Sequence, residues 1–150
     1  MIKTAIGKFL KYGTLLSSFA LIFSVLLQIY ARFFMSNTPA WTEETSRIFF
    51  IYAVSFASGL ALKDNYFVYL DVLFESLHPK WQRWILRSIQ ILIFGLFGIM
   101  SYQAILFVKL GIPETSASLS ISMSYCFFSM CIMSAGMAYY SFLEILKSFK

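Results

Sequence analysis

Residues 37 to 47 read Asn37-Thr38-Pro39-Ala40-Trp41-Thr42-Glu43-Glu44-Thr45-Ser46-Arg47, and from Ile48 to Leu62 the chain carries no further charge. This junction decides the fold. Thr38 is suited to cap a helix N-terminus, and Pro39 to occupy its first turn, where a missing N–H is no loss. A helix starting there holds Glu43 and Glu44 near the positive end of its dipole. Arg47 follows them by four and three residues, the order that favours an intrahelical ion pair. The local charges therefore largely neutralise one another. From Pro39 to Leu62, at about 1.5 Å per residue, the helix is roughly 36 Å long. That length crosses a hydrocarbon core of about 30 Å and leaves the carboxylates at its surface.

The composition agrees. Of 150 residues, 59% are hydrophobic and 19% aromatic, while only 13% are charged, and the mean hydropathy is +0.74. A chain folding in water needs far more polar residues to cover its outside, so lipid is the solvent this mixture fits. The net charge of +5 does not point to nucleic acid. The basic residues stand at the ends of apolar runs and form no basic face with interleaved aromatics. Cys126 and Cys131, five apart on an apolar helix, are turned away from each other and read as small apolar-helix residues.

Taken in order, the chain predicts an all-α integral membrane protein of one domain, residues 1–150, with spans near 12–32, 39–62, 86–108 and 121–143. Lys3, Lys8 and Lys11 precede the first uncharged run, Tyr12 to Ala31, whose length suits a membrane span and exceeds the apolar core of a signal peptide. The second span carries Ala53, Ala57 and Ala61 at four-residue spacing, with Ser55 and Gly59 beside them. Such small residues let helices approach closely in a bilayer. Residues 66–77 are too short to cross. Phe67, Leu70, Phe74 and Leu77 share a face and Asp71 and Glu75 another, which predicts an interfacial amphipathic helix. His78 and Pro79 end it, and His78 reads as an exposed or capping group. Trp81 and Trp84, flanked by Lys80, Arg83 and Arg87, read as headgroup-level anchors of the third span. Within the uncharged stretch Thr115 to Leu143, the serine-rich beginning is expected to be partly loop or a re-entrant turn.

With four spans, the two termini and the middle loop share one side, and nine of the twelve Lys and Arg residues lie there. That side is expected to be cytoplasmic, which turns the Trp41–Arg47 cluster outward. No Asp, Glu, Lys, Arg or His falls in the middle of a span, although ion and proton pathways usually need an ionisable group or unwound backbone there. Gln28, Gln90 and Gln103 suit hydrogen bonding between helices, with substrate contact as the alternative. No catalytic set, metal-ligand spacing or phosphate loop is visible, and neither an enzyme nor a cofactor is expected. On these residues alone, Trp41, Glu43, Glu44 and Arg47 read equally well as an ordered helix start or as a partner contact.

Trp41-x-Glu43-Glu44-x-x-Arg47, followed by an apolar span with Gly59, resembles the W-x-E-E-x-x-R signature of the small membrane subunit of tripartite ATP-independent periplasmic (TRAP) transporters, the DctQ-type family. Length, the four spans, Val68-Tyr69-Leu70-Asp71 after the second span and the late fourth helix extend the resemblance over nearly the whole chain. Phe67 stands where the family often has His, and the Ile-Pro common before the last span is absent from Leu119-Ser120-Ile121-Ser122. The resemblance implies a multi-pass protein of the bacterial inner membrane that binds a large, DctM-type permease subunit. That partner would hold the substrate and sodium sites, and an extracytoplasmic solute-binding protein would deliver an organic acid. It also leaves Trp41, Glu43, Glu44, Arg47, Gly59 and Asp71 as candidates for subunit contact or helix ordering, or for docking the binding protein.

Two other classes compete. A self-contained, dimeric four-helix exporter would need a membrane-embedded carboxylate for proton coupling, and the first span has none. A membrane redox or lipid-modifying enzyme would need the catalytic cluster that the sequence lacks.

Overall fold

The structure, a computed structural model, describes residues 2–35, 40–63 and 79–148. It contains α1 (Ile2–Phe34), α2 (Ala40–Lys63), α3 (Pro79–Leu110) and α4 (Ser124–Ser148). Each holds a segment long and apolar enough to cross a membrane: Thr4–Phe34, Ala40–Lys63, Trp84–Leu110 and Ser124–Leu146. The all-helical, four-span expectation is met. Thr38, Pro39, the expected interfacial helix over 66–77 and Asp71 lie outside the described residues.

The first three helices are longer than their apolar runs. Hydropathy marks where the chain meets lipid, whereas a helix continues until its backbone is capped or broken. Thus α1 begins at Ile2, well before Tyr12, and α3 begins at Pro79, a residue suited to a first helical turn. The fourth helix starts later than expected, at Ser124, because the preceding chain folds back on itself. Ser116 N donates to Ile121 O at 2.8 Å, and Met123 N to Glu114 O at 2.8 Å. Thr115 and Ser122 form an antiparallel bridge. Ser120 takes φ 54°, the left-handed conformation that reverses the chain at the tip.

Helix α1 packs on α2, α2 on α4 and α4 on α3, giving the spatial order α1–α2–α4–α3. The two inner helices are therefore α2 and α4. Most of what they bury is small or hydroxylated: Thr42, Ala53, Ser55 and Gly59 on α2, and Ser129, Ser134 and Ser141 on α4, where Met137 and Tyr140 are the larger buried side chains. These serines do not leave an unpaired hydroxyl in the membrane. Ser55 Oγ donates to Ile51 O and Ser134 Oγ to Met130 O, each at 2.8 Å, and Ser141 Oγ crosses to Gln90 O on α3 at 3.2 Å. Large apolar side chains point outward instead, among them Leu16, Phe19, Leu92 and Ile99. This is the arrangement expected when lipid is the solvent, where close backbone approach holds helices together.

Candidate functional site

The expected cluster at the start of α2 divides in two. Glu43 and Arg47 pair on the helix surface, with Nη2 to Oε1 at 3.3 Å and both side chains about two-thirds exposed. Trp41 is also exposed, and its carbonyl accepts the Thr45 hydroxyl at 2.7 Å. Glu44 turns elsewhere. Its Oε2 accepts the backbone N–H groups of Ser118 and Leu119, each at 3.1 Å, and the Ser116 hydroxyl also bonds to it.

The carboxylate thus closes the bend before α4 from the outside. A charged acceptor shared by two backbone amides is among the stronger hydrogen-bonding arrangements. Two further bonds tie α2 to its neighbours, one near this end and one at mid-helix. Ser24 Oγ of α1 reaches Thr42 O at 3.4 Å, and Tyr52 Oη donates to Tyr125 O at the start of α4 at 2.6 Å. The inner helix is therefore joined near its start to α1 and the 115–123 bend, and from its middle to the start of α4. In the sequence, the only hint of this was the serine-rich composition of the bend.

Gly59 lies about four turns away from Glu44, so it belongs to a different place. A Cβ added there would stand 3.7 Å from Gly136 Cα, and one added at Gly136 would stand 3.8 Å from Gly59 Cα. The two glycines mark the close crossing of α2 and α4. Leu10 of α1, buried, points its Cδ1 into the same notch, 2.9 Å from the Gly59 position and 4.0 Å from the Gly136 position. Of the expected alanine ridge only Ala53 is fully buried, and Ser55 with Gly59 provides the closer face. Gly136 is the counterpart on α4 that the sequence reading did not single out.

This geometry separates two substitutions. Gly59→Ala is expected to cost no more than about 1 kcal/mol, because only the mobile end of Leu10 must yield. Gly59→Leu forces the two backbones apart and is expected to cost about 1–3 kcal/mol. Thermal unfolding of the detergent-solubilised chain measures both. Equal midpoints for the two variants would contradict a close crossing at this point.

Among the described residues, no three His, Cys, Asp or Glu side chains come together as a metal site. The arrangement can order helix ends and present surfaces.

Comparison with known proteins matches residues 21–150 to the family described as "Tripartite ATP-independent periplasmic transporters, DctQ component". A protein of Haemophilus influenzae named "Putative TRAP transporter small permease protein" is 23% identical over 145 residues. The match covers 97% of this chain and 88% of that protein.

Proposed function

Because the chain belongs to the DctQ component family of tripartite ATP-independent periplasmic transporters, we propose that it is the small permease subunit that enlarges the stationary scaffold around a large permease subunit. The carrying observation is the family match over residues 21–150, joined to four span-length apolar helices with no Asp, Glu, Lys, Arg or His in mid-span. A chain so built adds intramembrane surface without an ion path of its own. In this reading the large subunit holds the sodium and substrate sites, and a solute-binding protein delivers an organic acid to it. The chain sits in the bacterial inner membrane with both termini cytoplasmic, as its basic residues favour. It acts as a non-enzymatic part of a symporter and needs no cofactor of its own.

The exposed Glu43–Arg47 pair and Trp41 then face the extracytoplasmic side, where they order the helix start and offer a contact to the large subunit. The test is coexpression of the tagged chain with the large permease protein, purification in mild detergent, and uptake by reconstituted vesicles with each component omitted in turn. A stable complex, with uptake that requires both membrane chains and the binding protein, is the expected result. Uptake by this chain alone would overturn the scaffold reading in favour of the self-contained exporter.

A further inference from the structure

Helix α3 stands at one edge of the order α1–α2–α4–α3 and packs on α4, which leaves its opposite side turned outward. Along that side Ser88, Ile91, Gly95, Gly98 and Tyr102 recur at alternating intervals of three and four residues, all of them exposed, so they share one face of the helix. Packing within the chain explains neither glycine. A Cβ at Gly95 or Gly98 meets nothing within 4 Å, and glycine inside a helix is less stable than alanine. Tyr102 is 65% exposed, and Gln103 beside it is exposed as well. Neither side chain has a hydrogen-bond partner among the described residues.

The depth of these two polar groups is informative. Gln103 lies six residues before Lys109, near the end of the helix, and is therefore about 9 Å inside it. Side chains on a helix lean toward its N-terminus. On α3 that direction runs from Tyr102 and Gln103 back toward the middle of the span, so neither group is carried to the nearer membrane surface. Lipid tails offer no hydrogen-bond partner there, and an unsatisfied polar group in hydrocarbon is costly. The outer face of α1 has the opposite character: Phe19, Ile22, Phe23, Leu26 and Ile29 fill it, all exposed, as suits a surface against lipid.

We propose that this face of α3 docks a transmembrane helix of the large permease subunit, which passes close over Gly95 and Gly98 and hydrogen-bonds Tyr102 and Gln103. The identity of the partner rests on the function proposed above; the choice of face does not. Close approach at small residues and hydrogen bonds between helices hold helices together in a bilayer, and a lipid chain uses neither. A second copy of this chain fits less well. Two copies share one orientation in the membrane, so a two-fold contact through α3 sets each residue near its own counterpart. Lys109, exposed and seven residues beyond Tyr102 on the same face, would then meet another Lys109. Like charges so placed oppose the contact. Lys109 has no ion pair among the described residues, and it favours a partner that carries a carboxylate at that membrane surface.

The test coexpresses the tagged full chain with the large subunit and measures how much of that subunit is retained in mild detergent. Gly95→Leu with Gly98→Leu is expected to cut retention by about tenfold, while the thermal midpoint of the same variant, purified without its partner, stays at or above that of the unaltered chain. Tyr102→Phe with Gln103→Leu keeps the side-chain bulk, removes the polar groups and should lower retention several-fold. Lys109→Glu should also lower it, and Ile22→Trp on α1 should not. A photoreactive residue in place of Ile91 or Ile99 should crosslink the large subunit, and one in place of Phe19 should not. Retention of the large subunit by both α3 double variants at the level of the unaltered chain, or crosslinks from position 91 to a second copy, would overturn the proposal. The underlying reading fails differently. An unaltered chain that retains no large subunit overturns both, whereas variants that bind as well as a binding unaltered chain overturn the face alone.

Discussion

Replacing Gly111 with Ala is expected to lower the stability of the isolated, detergent-solubilised chain by about 1–3 kcal/mol, toward the upper end because the obstruction is backbone. The added Cβ would stand 2.6 Å from Phe127 Cδ2 and 2.8 Å from Ser124 N. A phenyl ring can rotate away, at the expense of its contact with Phe107, whose ring centroid lies 5.8 Å from it. The Ser124 amide has no such freedom. It opens α4 and donates to Gly111 O at 3.1 Å, while Gly111 N closes α3 by donating to Phe107 O at 2.9 Å. Ser122 Oγ adds a bond to the same Gly111 carbonyl at 2.9 Å. One residue therefore ends one helix and anchors the next, and a methyl group at that point must separate them. Phe127→Ala in the same chain should recover only part of the loss, since it removes the ring and leaves the amide. Gly95→Ala and Gly98→Ala are the controls. A Cβ at either meets nothing within 4 Å, and trading glycine for alanine inside a helix favours the helix by up to about 1 kcal/mol. A thermal midpoint for Gly111→Ala indistinguishable from those of the controls would refute this account of the connection.

The contrast among these glycines shows what a sequence makes legible in a membrane chain. Apolar runs such as Tyr12–Ala31 and Ile48–Leu62 reveal how many times the chain meets lipid, because the bilayer sets both their length and their composition. They do not reveal neighbours. Gly59 could be recognised as a point of close approach, since small residues mark helix contacts in lipid. That its partner is Gly136, with Leu10 wedged beside both, follows from the order α1–α2–α4–α3, which hydropathy does not encode. Hydropathy does not encode helix ends either. At Ile2 and Pro79 the helix outruns the apolar segment, and before Ser124 an apolar segment contains a bend stabilised by its own serines. The Glu43–Arg47 pair was readable because both residues share one helix and the spacing is fixed by its pitch. Glu44 was not, because the amides it accepts lie on another segment of the chain.

That last difference predicts opposite outcomes for two adjacent carboxylates. Glu43→Ala removes one exposed ion pair whose partners are about two-thirds exposed, and such pairs contribute little. Its effect on hydrogen exchange in the 115–123 bend should be negligible. Glu44→Ala removes the acceptor for Ser118 N and Leu119 N, two amides at the tip of a bend that begins and ends at helices α3 and α4. Nothing else in the bend replaces that acceptor for Ser118; Leu119 N keeps only a 3.4 Å contact to Ser116 Oγ. Exchange at both amides should therefore accelerate by about tenfold, with the Ser118 amide affected more. Glu44→Gln is the discriminating variant. Its amide oxygen still accepts but carries no charge, so it should give an intermediate rate; a purely steric role for the side chain would leave that variant unchanged. Exchange measured by mass spectrometry on the purified chain, with peptides covering 112–124, resolves the three cases. If Glu43→Ala and Glu44→Ala accelerate the bend equally, the two carboxylates act as one general negative charge at the helix start. The assignment of Glu44 as the tie between α2 and the fourth helix would then fail.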